Sequence, residues 1–413
     1  MDGKNLPYLI VIKTPAQWNN LNRMKIKYPL ANSPIDKEDI SYLIKWLEKN
    51  PRLTMGPVTK DFEDKWAKYI GTKNSIFVNS GSSANTLMVY TAIVNGNLSV
   101  GDKVIVPSCG WVTTVSPMIQ FGLKPIMVDA DKDDYGINFD EVDKICEKTD
   151  IKGIIVVHPL GVPVNKDKLL NLKKKFNLFI MEDCCASVGA KFGDGKNIGT
   201  VGDMASYSFY FGHQLSTIEG GMINTSDTNL YDKLLALRSH GWTKDLSNNS
   251  IENLKDSVSF DAENGAFNFI YPGFNLRSTD LQAYIGLRQI DKADKVFKGR
   301  NKNHMYYINN MSDKFSFQKI KDCWPVSLHI GIMASSHQHR KNIIEALNKN
   351  GIENRVWSHG NLGRHNFWYS KYGKFEGKIS NEIYEKCFIL PTYPELKETD
   401  INDIIKVCEE ANL

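Results

Sequence analysis

Between residues 75 and 225, short β-branched runs alternate with longer helical patterns, and that alternation leaves few folds open. Ile76-Phe77-Val78, Val104-Ile105-Val106, Ile126-Met127-Val128, Ile154-Ile155-Val156-Val157 and Leu178-Phe179-Ile180-Met181 read as strands buried on both faces. Ala84 to Val94, Phe139 to Cys146 and Lys166 to Phe176 read as the helices between them. Parallel strands need long crossover connections, usually helical, so the expected fold is α/β with a mostly parallel sheet covered on both faces. Ligands of such sheets bind beyond the carboxyl ends of the strands, so chemistry is expected in the residues that follow these runs.

At 413 residues the chain exceeds one ordinary core. The reading divides it into an extension (1–27, with no functional assignment), a large domain (28–298) and a smaller α+β domain (299–413). The large domain ends in a helical region from Ser278 to Lys298, and the small one carries strand patterns at Leu328 to Met333 and Cys387 to Pro391. Gly265 to Pro272 reads as a loop, and Lys244 to Ala262 as a polar, mobile insertion. Hydrophobic content of 42% and charged content of 24% fit a globular enzyme.

A net charge of +4 argues against a nucleic-acid binder, and Lys173-Lys174-Lys175 reads as a solvated helix face. No apolar run approaches the ~18 residues that a membrane span needs, and Tyr8 to Ile12 is too short for a signal-peptide core. The seven cysteines are scattered, odd in number and without metal-ligand spacing. Neither a disulfide framework nor a metal site is expected, and a reducing cytoplasm is the easier location.

Four segments carry the polar residues that a site needs. Val78-Asn79-Ser80-Gly81-Ser82-Ser83-Ala84-Asn85 is a strand end, a glycine turn and a helix start, where backbone N–H groups and the helix dipole can seat a phosphate. Glu182-Asp183 places carboxylates at the end of the Leu178 strand. Ser108-Cys109-Gly110-Trp111-Val112-Thr113-Thr114 puts an indole in the loop after the Val104 strand. Ser208 to Gly221 contains His213 six residues before Glu219-Gly220-Gly221. Each has an ordinary explanation when taken alone: a helix cap, a turn aspartate, a peripheral core anchor.

Together and in this order they resemble the DegT/DnrJ/EryC1/StrS aminotransferase family, and the resemblance runs from Tyr28-Pro29-Leu30 to the end of the chain. It implies the aspartate-aminotransferase-like (fold type I) architecture of enzymes that use pyridoxal 5'-phosphate (PLP) and pyridoxamine 5'-phosphate (PMP). Gly81, Ser82 and Ser208 would then meet the cofactor phosphate, Trp111 would stack on the ring and Asp183 would hold the pyridine nitrogen protonated. In Tyr271-Pro272-Gly273-Phe274-Asn275-Leu276-Arg277, the resemblance gives Asn275 a phosphate contact and Arg277 a carboxylate or diphosphate, both in the site of a partner subunit. His240, within Arg238-Ser239-His240-Gly241-Trp242-Thr243, and Gly56, within Thr54-Met55-Gly56, match substrate-side segments.

Most of the family has lysine where this chain has His213, and imidazole has no primary amine with which to hold the cofactor covalently. Histidine there marks the sugar 3-dehydratases. Only Cys323, Cys387 and Cys408 follow His213, widely separated, which matches the branch without an iron–sulfur cluster. The implied reaction is loss of the C3 hydroxyl from a nucleotide-linked 4-keto-6-deoxy hexose, with His213 as base, ammonia released and L-glutamate regenerating PMP. A homodimer is implied, with no nucleic-acid or membrane partner.

Three positions depart from the pattern: Ala186, Gln214 in place of a second histidine, and Lys244 in place of an arginine. A sugar-nucleotide aminotransferase with an unusual base, and a silent sugar-nucleotide sensor or scaffold on the same fold, are the alternative readings.

Overall fold

The computed structural model describes residues 26–255, 263 and 267–411. The Tyr8–Ile12 run, and with it nearly all of the extension, lies outside those residues, as does the end of the 244–262 insertion. Eight strands come from the first part of the chain: β1 (Asn74–Val78), β2 (Lys103–Pro107), β3 (Lys124–Val128), β4 (Gly153–Val157), β5 (Phe179–Asp183), β6 (Lys191–Phe192), β7 (Met204–Ser208) and β8 (Gly221–Thr225). Seven of them form one sheet in the order β1-β8-β7-β5-β4-β2-β3. From β7 to β3 every pairing is parallel, and β8 alone runs against both neighbours.

The apolar runs of the sequence become β1 to β5. β7 and β8 come from Met204-Ala205-Ser206-Tyr207-Ser208 and Gly221-Met222-Ile223-Asn224-Thr225, which carry no apolar periodicity yet are buried throughout. Their strand character comes from pairing: β7 is held on one side by β5 and on the other by β8. Trp66, Tyr207 and Phe209 pack edge to face under this part of the sheet. Each such fully buried ring contributes ~1.5–3 kcal/mol of hydrophobic stabilisation.

The helix Gly81–Val94 starts three residues before its apolar pattern, because the Ser80 side chain caps it by accepting the Ser83 N–H. Lys166–Phe176 is capped by Asn165 and ends at Asn177 in the left-handed conformation. Its lysines are paired on the surface, Lys173 with Asp203 and Lys175 with Asp143 and Glu147. Within the polar insertion, a helical turn (Thr243–Asp245) and a helix (Asn248–Lys255) form.

A single 31-residue helix, Asp280–Asn310, runs through residue 298 and carries the chain from the large sheet to the last part of the fold. There β9 (Cys323–Trp324) pairs with β6, while β10 (His329–Met333), β11 (Arg355–Val356) and β12 (Cys387–Pro391) form an antiparallel sheet in the order β10-β12-β11. This sheet has its own core, including Tyr307, Ile332, Ile343, Phe388 and Ile404. The two parts meet closely at Gly161, where a Cβ would lie 2.3 Å from the Ser327 Cα, so no other residue fits there. No helix among the described residues is long and apolar enough to cross a membrane.

Candidate active site

Three strand ends converge. Gly81 follows β1, Asp183 ends β5, and Ser208 ends β7. A Cβ on Gly81 would lie 2.7 Å from the Ser208 Cβ and 3.1 Å from the Cys185 Sγ, so glycine leaves the hollow between them open. The N–H groups of Gly81 and Ser82 open a helix and have no carbonyl within the helix to reach, while that of Ser83 is taken by Ser80 Oγ at 3.0 Å. The Ser82 hydroxyl sits 3.2 Å from that of Thr113. Free amides at a helix start beside the hydroxyls of Ser82 and Ser208 make a seat for a phosphate dianion.

Asp183 is 3% exposed. Its Oδ2 accepts from Asn85 Nδ2 at 2.8 Å and from the Thr114 hydroxyl at 2.7 Å, and its Oδ1 accepts from the Cys185 N–H at 3.1 Å. Ser206 in turn donates to Asn85 Oδ1 at 2.6 Å. No cationic side chain forms an ion pair with Asp183 among the described residues. Burying a carboxylate without a cation is costly, so this one, fixed by neutral donors, suits a ligand that brings its own positive N–H. Asn85 and Thr114 lie inside segments legible as motifs, but nothing in the sequence pairs them with Asp183.

Glu182, on the opposite face of β5, has a different task. It accepts N–H groups from Gly199, Val201 and Gly202 and bonds His158 Nε2 at 3.1 Å, and His158 Nδ1 accepts the Val164 N–H. Burial works to raise its pKa, but His158 and these amides outweigh burial and hold the carboxyl below its ordinary range. With Cys184 these residues form the one cluster of metal-ligand type among the described residues. Its nitrogen and oxygen atoms are already committed, and it reads as a lock on the strand end.

His213 lies in the loop between β7 and β8. Its N–H bonds the Tyr210 carbonyl, and its Nδ1 is 2.7 Å from the Cys185 carbonyl. A carbonyl only accepts, so Nδ1 carries the hydrogen and Nε2 keeps its lone pair. Burial pushes the imidazole down to about 4; the Cys185 carbonyl opposes this, Arg300 reinforces it and Asp183 opposes it. At neutral pH this is an uncharged base. Gln214 points elsewhere, donating to the carbonyls of Ala186 at 2.9 Å and Val326 at 3.1 Å. Two of the departures noted in the sequence therefore touch each other.

Trp111 caps the helix Val112–Gln120 with its ring 57% exposed and meets the His359 ring edge-on at 5.3 Å. His359 comes from the C-terminal part of the chain, which docks on this loop: Gly110 N–H bonds the His359 carbonyl, and Leu362 N–H bonds that of Ser108. No sequence motif announced this contact.

His240, Asn275 and Arg277 form a second group. Arg277 Nε donates to Asn275 Oδ1 at 3.1 Å, its Nη2 lies 3.5 Å from His240 Nε2, and His240 takes a left-handed φ of 66°. Among the described residues no hydrogen bond or ion pair joins these side chains to those of Gly81, Asp183, Ser208 or His213. Arg238, in the same motif as His240, turns inward to a buried ion pair with Glu63. Gly56 precedes the helix Pro57–Ile70, and its N–H donates to Asp280 Oδ1 at 2.8 Å; Asp280 also takes the Val58 and Thr59 N–H groups and so caps that helix.

A phosphate seat, an unpaired carboxylate and a neutral imidazole at one sheet edge agree with the relatives found by comparison. The chain is 36% identical over 286 residues to the GDP-4-keto-6-deoxy-D-mannose 3-dehydratase of Yersinia pseudotuberculosis, covering 68% of this chain and 71% of that protein. A solved structure of the E. coli GDP-4-keto-6-deoxy-D-mannose-3-dehydratase with bound hydrated PLP superposes with a TM-score of 0.85 at 28% identity, covering 93% of this chain and 100% of that one. A structure of GDP-4-keto-6-deoxymannose-3-dehydratase with a trapped PLP-glutamate geminal diamine gives 0.83 at 28% identity, covering 92% of this chain and 100% of that one. Residues 34–409 match the family throughout, and the chain belongs to the DegT/DnrJ/EryC1/StrS aminotransferase family.

Proposed function

We propose that the protein removes the C3 hydroxyl of a nucleotide-linked 4-keto-6-deoxy hexose, with GDP-4-keto-6-deoxy-D-mannose the substrate its relatives indicate, as a PLP/PMP-dependent 3-dehydratase. The observation that carries this reading is the neutral imidazole of His213, where most of the family has an amine, with Nδ1–H held by the Cys185 carbonyl and Nε2 left as the base. When bound, the cofactor supplies an amine that condenses with the 4-keto group and a ring that accepts electrons.

The chain's own residues do the rest. The amides of Gly81 and Ser82 and the hydroxyls of Ser82 and Ser208 bind the phosphate. Asp183, oriented by Asn85, Thr114 and the Cys185 N–H, faces the ring nitrogen. Trp111 covers the ring. His213 Nε2 takes a proton and returns it to the departing hydroxide. L-glutamate supplies the nitrogen lost as ammonia in each cycle.

We assign His240, Asn275 and Arg277 to anionic groups of substrate and cofactor in a partner's site, with Gly56 on the same substrate side, and the active unit to a homodimer. The exposed apolar side chains of Tyr210, Phe211, Ile218, Phe267 and Phe269 support that assembly. Division into 28–298 and 299–413 domains, and a cytoplasmic location in keeping with seven free cysteines, complete the assignment. The test is incubation with PLP, L-glutamate and a panel of 4-keto-6-deoxy sugar nucleotides. Ammonia and a 3-deoxy sugar are expected, and a stable amino sugar would replace this reading with an aminotransferase.

A further inference from the structure

Arg300, on the long helix Asp280–Asn310, is 2% exposed and has no acid partner. Its Nη1 donates to the carbonyls of Ser327 at 3.3 Å and Leu328 at 3.0 Å, and its Nη2 to the carbonyl of His213 at 3.5 Å. Its Nε is buried without a hydrogen bond, and no carboxylate forms an ion pair with it among the described residues. Burial lowers its pKa to about 10, against the through-space pull of the Glu395 carboxylate, so it stays charged at neutral pH. An apolar residue would serve the core better than a buried guanidinium with no direct ion pair.

The surroundings suggest what it is for. Gln214 bonds the Val326 carbonyl, and Arg300 bonds those of Ser327 and Leu328. Three consecutive carbonyls leading into β10 are thus tied to His213 and its neighbour. That segment is itself immobilised, by the Val326 N–H on the Gly161 carbonyl and by Thr392 Oγ1 on Ser327 and Leu328.

We propose that Arg300 is a positioning residue of the reaction: it fastens the His213 backbone to the 326–328 segment and holds near the imidazole a positive charge that no ion pair neutralises. This rests on reading His213 as the base. The groups facing His213 divide by element. From the large sheet, Asp183 and the Cys185 carbonyl favour the imidazolium; from the long helix Arg300 disfavours it, and from β10 His329 faces His213, with the Arg355 charge and the His359 imidazole near His329. Burial is the largest influence toward the neutral base, and Arg300 adds to it.

The test is a titration of cofactor-free protein carrying ¹³C-labelled histidine, with the His213 resonance identified by its loss in His213→Asn. In the unaltered protein His213 should stay neutral well below pH 6. In Arg300→Met its midpoint should rise by about one to two pH units, the effect of one charge at this range. In Arg300→Lys the midpoint should stay low, while kcat falls and KM for the sugar nucleotide holds, because a point charge cannot span the three carbonyls.

Arg300→Met with an unmoved midpoint and unchanged kcat overturns the proposal, as does a folded Arg300→Lys protein that titrates near 6.5. If Arg300→Met does not fold by circular dichroism, the lysine variant decides. Failure of the unaltered enzyme to deoxygenate would refute the dehydratase reading instead, and the titration does not depend on it.

Discussion

Asp183→Asn separates the electrostatic role of this side chain from its structural one. The carboxylate receives donors from Asn85 and Thr114 on Oδ2 and from Cys185 on Oδ1. Asparagine has the same shape but only one acceptor oxygen. The least costly placement keeps that oxygen toward Asn85 and Thr114 and turns the amide nitrogen against the Cys185 N–H. One buried donor is then stranded, at ~1–3 kcal/mol, partly offset because the side chain is no longer a buried anion. The apo protein should therefore stay folded, with a melting temperature only a few degrees lower. Catalysis should suffer far more, since a fixed charge is lost from a water-excluded site, an effect on the order of 10²–10³-fold. The assay is ammonia release with L-glutamate and a 4-keto-6-deoxy sugar nucleotide at saturating cofactor, beside thermal unfolding of the apo form. Turnover within about twofold of the unaltered enzyme would refute the role given to Asp183. Collapse of the fold would show that the carboxylate serves the three donors rather than a ligand.

His213→Asn can keep the contact to the Cys185 carbonyl but has no basic nitrogen, so deoxygenation should fall by on the order of 10²–10⁴-fold; a near-normal rate would exclude His213 as base. His213→Lys should retain cofactor through dialysis with a new visible absorbance and suppressed dehydration, and an absorbance spectrum identical to the parent's would count against the site. Gly81→Ala should weaken PLP binding by at least about tenfold, because the added methyl sits between Ser208 and Cys185 where the phosphate belongs; an unchanged fluorescence titration would place the seat elsewhere. His213, His304 and His359 are each lowered by burial to about 4, so the folded state binds fewer protons than the unfolded one below pH 6.5. Their neutral burial costs nothing above pH 6.5, and stability is lost as pH falls from there toward 4, by up to ~2 kcal/mol per group at pH 5. Urea midpoints that do not fall between pH 7 and pH 5 would contradict this.

Much of this protein is legible in the order of its residues. β1 to β5 announce themselves because strands buried on both faces must be apolar throughout, and Lys166–Phe176 begins where its pattern does, whereas Gly81–Val94 begins three residues before its apolar pattern, at the Ser80 cap. The chemical identity of the base is a property of the residue type: an imidazole at 213 cannot hold the cofactor as an amine does. Tertiary structure decided the rest. β7 and β8 carry small and polar residues and are strands because β5 offers an open edge to β7 and β7 in turn to β8. Asp183 gains its donors from positions 98 and 69 residues away, a pairing with no local signature. Lys244 to Ala262 reads as featureless polarity, yet Asn248–Lys255 is helical. Nothing in the run Tyr210 to Thr217 says that His213 is neutral. That follows from burial, with Arg300 adding to it, against the Cys185 carbonyl and Asp183, and these groups approach it from other elements; a protonation state belongs to the surroundings, and only the fold assembles them.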